Sequence, residues 1–349
     1  MIINKIKVCA ILLALLYSPV HLAAAQEGEA PFVYVPSTIS GQAQDVLKKL
    51  TNPELRPALP GPDDIKAWKA IQDEREAFAV KRQGQILERL QPTVTALELG
   101  GVPVLDIKPR DWADNGKVLV YTHGGAYTLF SAKSTLVCSA SMAAATGLRV
   151  ISIDYTLAPH AKWQQITDQV LSVFKALRSL GYAMNDIAIW GDSAGGGLAA
   201  GAVLKMRDQG MGMPVAVVLW SPWADITDTG DSYETLKHAE PAYVYAKHLK
   251  PSADAYAAPE DQKNPYVSPV YGDYTKGFPP TLIQGGTKEI FLSNFVRLYQ
   301  NIDTAGQTVK LDIYEGMIHV FQAALYGAPE SDAALNKVNA FLKDYLHGL

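Results

Sequence analysis

From about residue 93 onward, short apolar runs alternate with longer segments in which apolar residues recur every three or four positions. The short runs predict buried strands, and the longer segments predict amphipathic helices. Because the strands are largely apolar and alternate with helices, they predict a mostly parallel central sheet with helices on both faces. The predicted strands cover 93–99, 102–107, 117–122, 149–155, 186–190, 215–220, 281–284 and 309–314, and the predicted helices 133–146, 163–180, 198–206, 292–303 and 332–346.

Two segments lack this alternation. Residues 26–92 precede the first strand, are rich in proline, and contain helical patterns at 42–50 and 63–90. Residues 223–278 interrupt the pattern with prolines, tyrosines and one helical patch. Because so long a structureless loop is unusual in a compact domain, both segments are predicted to form a lid over a catalytic domain at 93–349.

The N-terminus has the layout of a secretory signal peptide. Lys5 and Lys7 precede an apolar run at 8–17, and small residues follow up to Ala25. This order predicts a signal peptide over 1–25, while the run is too short to span a bilayer. We therefore expect cleavage after Ala25, export to the periplasm or the medium, and no stable membrane insertion afterwards.

The composition limits the classes of protein to which the chain could belong. The chain of 349 residues is 48% hydrophobic and 19% charged, with a net charge of −4, which is typical of a globular protein. No long basic run indicates a nucleic-acid partner. Cys138 is the single cysteine after residue 25 and lies in an apolar helical stretch, so it is predicted to be a core residue. No metal-binding motif is present, and the sequence leaves a homodimer open.

The main chemical motif is Gly191-Asp192-Ser193-Ala194-Gly195, which matches G-x-S-x-G. It follows a predicted strand and precedes a helical run, as a nucleophile elbow does. We therefore predict that Ser193 is a nucleophile, although the motif alone also fits an ordinary turn of small residues. Residues 195–200 also fit a dinucleotide-binding pattern, but the overlapping elbow explains these glycines, and no cofactor is predicted.

A serine nucleophile needs a base, an acid that orients the base, and donors for the oxyanion. His319 follows the last predicted strand, where the chain order of this fold class places the base. Glu289 is the carboxylate that follows strand 281–284 and is the predicted acid. The reserve candidates are Asp225, Asp228 and Asp231.

Gly124 and Gly125 follow the strand at 117–122, and glycines there let the backbone approach a substrate closely. Their N–H groups, with that of Ala194, are the predicted oxyanion hole. Tyr127 and Trp223 are aromatic candidates for the substrate pocket wall, with a plain core position as an equally good interpretation.

Taken together, four motifs resemble the hormone-sensitive-lipase-like branch of the α/β-hydrolases, the bacterial family IV esterases. They are His123-Gly-Gly, Asp154-Tyr-Thr-Leu-Ala-Pro, Gly191-Asp-Ser-Ala-Gly-Gly and Glu315-Gly-Met-Ile-His. The resemblance covers about residues 95–345. It implies an α/β-hydrolase fold with a helical cap, hydrolysis of small-molecule carboxylic esters without a cofactor, and a bracing role for Asp154 and Tyr155.

The chain departs from this family pattern at two places. Ala126 stands where the family usually has a third glycine, and Lys288 where it often has an aspartate. Glu289, the next residue, resembles the acid of the subset that uses glutamate.

These observations predict a serine carboxylesterase for short- to medium-chain esters. Two alternatives stay open. The protein could be a hydrolase of a specific lactone or macrolide-type cyclic ester, or a non-catalytic ligand-binding protein that resembles the α/β-hydrolases.

Overall fold

A computed structural model describes residues 31–346, so the predicted signal peptide lies outside the described residues. Its centre is an eight-stranded sheet in the order β1-β2-β4-β3-β5-β6-β7-β8, in which β2 alone runs opposite to the other strands. The strands are β1 Thr93–Leu99, β2 Val102–Lys108, β3 Val118–Thr122, β4 Arg149–Ile153, β5 Ile187–Asp192, β6 Ala216–Trp220, β7 Thr281–Gly286 and β8 Val309–Tyr314.

Helices cover both faces of the sheet. Alternate residues of β3 show this, because Val118 and Val120 pack with one buried cluster while Leu119 and Tyr121 pack with another. The first cluster includes residues of α5, α6 and α9, and the second includes residues of α4 and α11. The helices are α1 Gly41–Leu47, α2 Ile65–Arg82, α3 Gly84–Leu90, α4 Leu136–Thr146, α5 Trp163–Ser179, α6 Ala194–Asp208, α7 Ser232–Thr235, α8 Lys250–Tyr256, α9 Leu292–Thr304, α10 Phe321–Ala324 and α11 Pro329–Tyr345.

Two helices differ from the sequence prediction. The pattern over 63–90 predicts one helix, whereas the structure has two, α2 and α3, separated at Gln83. Gly84 begins the second helix, and glycine weakens a continuous helix because it gains too much freedom in the unfolded chain. The helix after the elbow begins at Ala194 rather than near residue 198, because buried glycines at 195–197 continue it directly.

The N-terminal segment and the insertion at 223–278 contact each other. The Leu59 N–H donates to the Lys247 carbonyl at 2.8 Å. The buried Arg56 guanidinium donates to the carbonyl oxygens of Pro241, at 3.1 Å, and Ala242. Within residues 31–346, no helix is both long enough and apolar enough to cross a bilayer.

Candidate active site

Ser193 lies at the turn between β5 and α6, at the carboxyl edge of the sheet. Its backbone has φ +55° and ψ −127°, a conformation that costs a non-glycine residue about 1–3 kcal/mol. Two hydrogen bonds hold the turn, because the Ser193 N–H donates to Trp220 O at 2.8 Å and the Trp223 N–H donates to Ser193 O at 2.9 Å. The neighbouring strand β6 and the residues after it therefore help to fix the serine.

Glycines around Ser193 are required by close backbone approach. A Cβ atom on Gly191 would lie 2.3 Å from the Gly195 carbonyl oxygen. One on Gly195 would lie 2.0 Å from the Thr122 carbonyl oxygen and 2.5 Å from that of His123. These contacts are with backbone atoms that cannot move aside, which explains the spacing of the G-x-S-x-G motif.

We therefore expect Gly195→Ala to lower the free energy of unfolding by about 3 kcal/mol or more, as overpacking of a closed site does. The matched control is Gly84→Ala, because a Cβ on Gly84 meets no atom within 4 Å. In helix α3 this change should stabilise by roughly 0.5–1 kcal/mol. Thermal and denaturant unfolding of both variants checks the pair, and equal effects would contradict the packing argument.

His319 and Glu289 form a buried pair beyond the ends of β8 and β7. His319 Nδ1 lies 2.7 Å from Glu289 Oε2, and neither side chain is exposed. The other carboxylate oxygen, Oε1, accepts from the Ser221 hydroxyl at 2.9 Å and from the Gly286 N–H at 2.6 Å. These two donors orient the carboxylate so that Oε2 faces the imidazole.

The remaining ring nitrogen, His319 Nε2, is buried and has no hydrogen-bond partner among residues 31–346. It therefore makes no hydrogen bond to Ser193 in this structure. Such bonds are often long before substrate binds and tighten in the complex. An unpartnered buried imidazole nitrogen is costly unless it serves a function, and here it is free to accept a proton.

Two of the three reserve acids are engaged elsewhere, and the third, Asp228, is exposed. Asp225 Oδ2 lies 2.7 Å from Arg297 and accepts from the Tyr271 hydroxyl at 2.9 Å. Asp231 accepts from the Ser293 hydroxyl at 2.7 Å. Within the part of the chain that the structure describes, Glu289 is the carboxylate hydrogen-bonded to His319.

The prediction that Gly124 is an oxyanion donor is wrong. Its N–H donates to Asp192 Oδ1 at 3.0 Å, and the same oxygen accepts from the Tyr121 hydroxyl at 2.5 Å. The sequence could not show that Asp192, inside the elbow motif, takes this donor. Burial raises the pKa of Asp192, while the hydrogen bonds from Tyr121 and Gly124 act in the opposite direction.

Gly125 and Ala126, which follow Gly124, have backbone N–H groups that could donate to an oxyanion. The N–H groups of Gly125 and Ala126 have no acceptor among residues 31–346. Both residues have positive φ, +116° at Gly125 and +53° at Ala126. Ala126 thus adopts the left-handed backbone that a glycine would adopt more easily, and its N–H is available beside those of Gly125 and Ala194.

Tyr155 and Asp154, to which the resemblance gives a bracing role, both hold this part of the chain. The Tyr155 hydroxyl donates to the His123 carbonyl oxygen at 2.7 Å, and the two rings stack with centroids 4.1 Å apart. Asp154 Oδ1 accepts from the Ala132 N–H at 2.9 Å. Burial lowers the pKa of His123, which favours a neutral ring in a structural role.

Tyr127 and Trp223 are fully buried, and neither is among the residues that line the cavity beside Ser193. The Tyr127 ring stacks on Tyr256 with centroids 3.7 Å apart, and Trp223 stacks on Phe291 at 5.8 Å. Their positions agree with the plain core interpretation, because both rings pack against other buried aromatic rings.

A cavity of about 40 Å³ adjoins Ser193. On this measure one water needs about 10–15 Å³, so the cavity has room for roughly three. Most of its wall consists of glycine, alanine or apolar side chains. The lining residues are Gly124, Gly125, Phe130, Thr135, Cys138, Asp192, Ser193, Val320, Ala323 and Ala324.

Sequence reasoning missed three residues of this site, Ser221, Glu240 and Tyr243. Ser221 follows strand β6 directly and is fully buried, so a polar residue at that strand end was a usable signal. Glu240 and Tyr243 belong to the insertion at 223–278, where no periodic pattern or motif marks them.

Comparisons with known proteins concern the fold and the family of the chain. The sequence model of a family described by its alpha/beta hydrolase fold matches residues 119–323. An acetyl-hydrolase of Streptomyces hygroscopicus is 33% identical over 234 residues, which are 67% of this chain and 78% of that relative.

Two solved structures extend the likeness. The crystal structure of an esterase, E25, superposes with a TM-score of 0.84 at 31% identity, covering 90% of this chain and 96% of that chain. An esterase from the bacterial hormone-sensitive lipase family gives a TM-score of 0.73 at 30% identity, over 79% of this chain and 92% of that chain.

The sheet, the elbow and these matches define the class, so the chain belongs to the α/β-hydrolase fold family. Within that superfamily it is a hormone-sensitive-lipase-like esterase, a carboxylic ester hydrolase. The expected fold and family are thereby confirmed.

Proposed function

We propose that this esterase is a serine carboxylesterase for short- to medium-chain esters, with Ser193 as nucleophile, His319 as base and Glu289 as orienting acid. The observation that carries the proposal is the buried His319–Glu289 pair, whose Nε2 is unpartnered at the carboxyl edge that also bears the strained Ser193. This arrangement supports acyl transfer because Glu289 orients the imidazole through Nδ1 and leaves Nε2 unpartnered for the serine proton.

In the first half of the reaction, Ser193 Oγ attacks the ester carbonyl carbon while His319 Nε2 takes the hydroxyl proton. The carbonyl π bond opens, and its oxygen becomes an oxyanion held by the N–H groups of Gly125, Ala126 and Ala194. Glu289 stabilises the imidazolium. The tetrahedral intermediate then collapses, the C–O bond to the alcohol breaks, and the alcohol leaves with the proton from His319.

The second half repeats these steps with water. His319 takes a proton from water, the resulting hydroxide adds to the acyl-enzyme carbonyl, and the same N–H groups hold the oxyanion. When this intermediate collapses, the bond to Ser193 Oγ breaks and His319 returns its proton to the serine. The products are a carboxylic acid and the free enzyme, so the atoms of ester and water balance.

The cavity beside Ser193 favours the short end of the acyl range. Its volume of about 40 Å³ and its small apolar lining suit an acyl group of about two to four carbons. The name of the Streptomyces hygroscopicus relative, an acetyl-hydrolase, supports the same assignment. Ala324 forms part of this wall, so a larger side chain there would fill the cavity.

We expect kcat/KM on p-nitrophenyl esters to be highest for acetate or butyrate and to fall beyond them. Ala324→Leu should lower kcat/KM for butyrate more than for acetate, by about tenfold, because about 1.4 kcal/mol of apolar contact is replaced by a steric clash. Ala333→Leu, exposed on α11, is the matched control. A maximum at long acyl chains, or equal losses for both esters in Ala324→Leu, would contradict the assignment of this cavity.

We also propose that the enzyme is exported, to the periplasm or the medium. The support is the order of Lys5 and Lys7, the apolar run at 8–17 and the small residues before Gln26. The reaction needs no cytosolic cofactor, which is compatible with either location.

A further inference from the structure

A second buried carboxylate lies next to the His319–Glu289 pair. Glu240, in the insertion at 223–278, has no exposed surface. Its Oε1 accepts from the Ala242 N–H at 2.6 Å, and its Oε2 accepts from the Ile290 N–H at 3.1 Å. Ile290 is the residue directly after Glu289, so Glu240 binds the backbone that carries the proposed acid.

The residues that follow Glu240 reach the imidazole. We call residues 240–243 the strap. The Tyr243 ring meets His319 edge to face, with centroids 5.1 Å apart and planes at 79°. Phe291 meets His319 in the same manner at 5.2 Å and 78°, and it stacks on Tyr243 with centroids 6.0 Å apart. His319 therefore packs against a pair of stacked rings, one from the strap and one from the core.

Arg56 fixes the strap from the N-terminal segment, because its guanidinium donates to the carbonyl oxygens of Pro241 and Ala242. One short segment thus touches the turn of Glu289 and the ring of His319.

We infer that Glu240 is a positioning residue for ester hydrolysis, which fixes the turn carrying Glu289 through Ile290 and the strap carrying Tyr243 through Ala242. A carboxylate suits this place because both its oxygens accept from backbone N–H groups. A glutamine would turn its NH₂ group against one of these two donors and leave that N–H unsatisfied. The inference rests on the triad of the proposed function.

Electrostatics agrees with this placement of Glu240. The charged groups around Glu240 are His319 and Glu289 on the core side, and Arg56, which binds the strap; Tyr243 is the titratable neighbour on its own segment. Burial raises the pKa of Glu240 to about 7, while His319 acts to lower it and Glu289 acts to raise it.

The test compares Glu240→Gln with Asp225→Asn. Asp225 is an equally buried carboxylate of the same insertion, but it pairs with Arg297 instead of approaching His319. We expect Glu240→Gln to lower kcat by up to about a hundredfold through misplacement of the acid and base. KM should change little, because Glu240 and its two backbone donors do not line the cavity beside Ser193.

Asp225→Asn should lower the melting temperature and leave kcat close to that of the wild type. If both variants lose stability alike and Glu240→Gln keeps wild-type kcat well below its melting temperature, Glu240 has only a structural role and the inference fails. If Ser193→Ala retains activity, the triad itself fails, whatever Glu240→Gln does. The two failures are therefore distinguishable.

A second pair of variants covers the case in which Glu240→Gln does not fold. Tyr243 is only partly buried, so changes there should be tolerated. Tyr243→Ala removes the ring from His319 and should lower kcat about tenfold or more with little change in KM. Tyr243→Phe keeps the ring and should restore most of kcat. Equal activity of wild type and Tyr243→Ala would overturn the role of the strap.

Discussion

Ser193→Ala should abolish ester hydrolysis, with a loss in kcat of about a millionfold. The change removes Oγ, which alone can form the acyl-enzyme in this mechanism, and leaves the cavity and the proposed oxyanion donors in place. The free energy of unfolding should change little. Alanine keeps the backbone of the elbow, and the change removes a single oxygen atom from an almost fully buried side chain. Turnover of p-nitrophenyl acetate or butyrate measures the effect.

The control for this variant is Ser179→Ala. Ser179 is an exposed serine at the end of α5 whose hydroxyl donates to the Lys175 carbonyl at 3.1 Å. This variant should retain wild-type kcat and KM. A phosphonate probe gives a second measurement, because it should label the wild type at Ser193 and leave Ser193→Ala unlabelled. Residual turnover by Ser193→Ala above a hundredth of the wild type would remove the serine from its role.

Glu289→Gln should reduce kcat by about ten-thousandfold, by forcing the wrong tautomer on His319. The Ser221 hydroxyl and the Gly286 N–H both donate to Oε1, so the amide oxygen of glutamine will take that position. The NH₂ group then faces His319 Nδ1 and donates to it. Nδ1 becomes an acceptor and the proton moves to Nε2, which can no longer accept the serine proton.

The matched control is Glu315→Gln. Glu315 begins the segment that leads to His319, but its carboxylate is exposed and accepts from the Thr38 hydroxyl at 2.8 Å. Its replacement should leave kcat nearly unchanged. Steady-state kinetics with one ester, together with melting curves, separates a catalytic loss from unfolding. A loss below about tenfold in Glu289→Gln would move the acid role to another carboxylate, with Glu240 as the nearest candidate.

Local patterns predicted most of the sheet, because the strand ranges read from apolar runs agree with the structure to within a few residues. The runs of β3, β5, β6 and β7 are buried at every residue, so their apolar character is visible without knowledge of their neighbours. The same holds for Ser193, since the elbow lies within five consecutive residues that must be small or polar for steric reasons. The family motifs are equally local.

Predictions failed where they depended on contacts between residues that are distant in sequence. The Gly124 N–H donates to the Asp192 carboxylate. These two residues, 68 positions apart, meet because β3 and β5 are adjacent in the sheet. The sequence shows a glycine after a strand, but not which of three consecutive N–H groups stays unbonded. Tyr127 and Trp223 likewise look like pocket residues until the rings stacked on them are known.

The sequence by itself determined the alternation of strands and helices, the elbow, and the positions of Ser193 and His319 after their strands. Only the tertiary structure decided that Glu289, rather than Asp225, contacts His319, and that Glu240 and Tyr243 of the insertion border the same imidazole. The reason is physical: neighbours along the chain fix backbone conformation and strand burial. Which group a buried charge contacts depends on how the strand ends pack against the insertion at 223–278, because this packing brings together residues far apart in sequence.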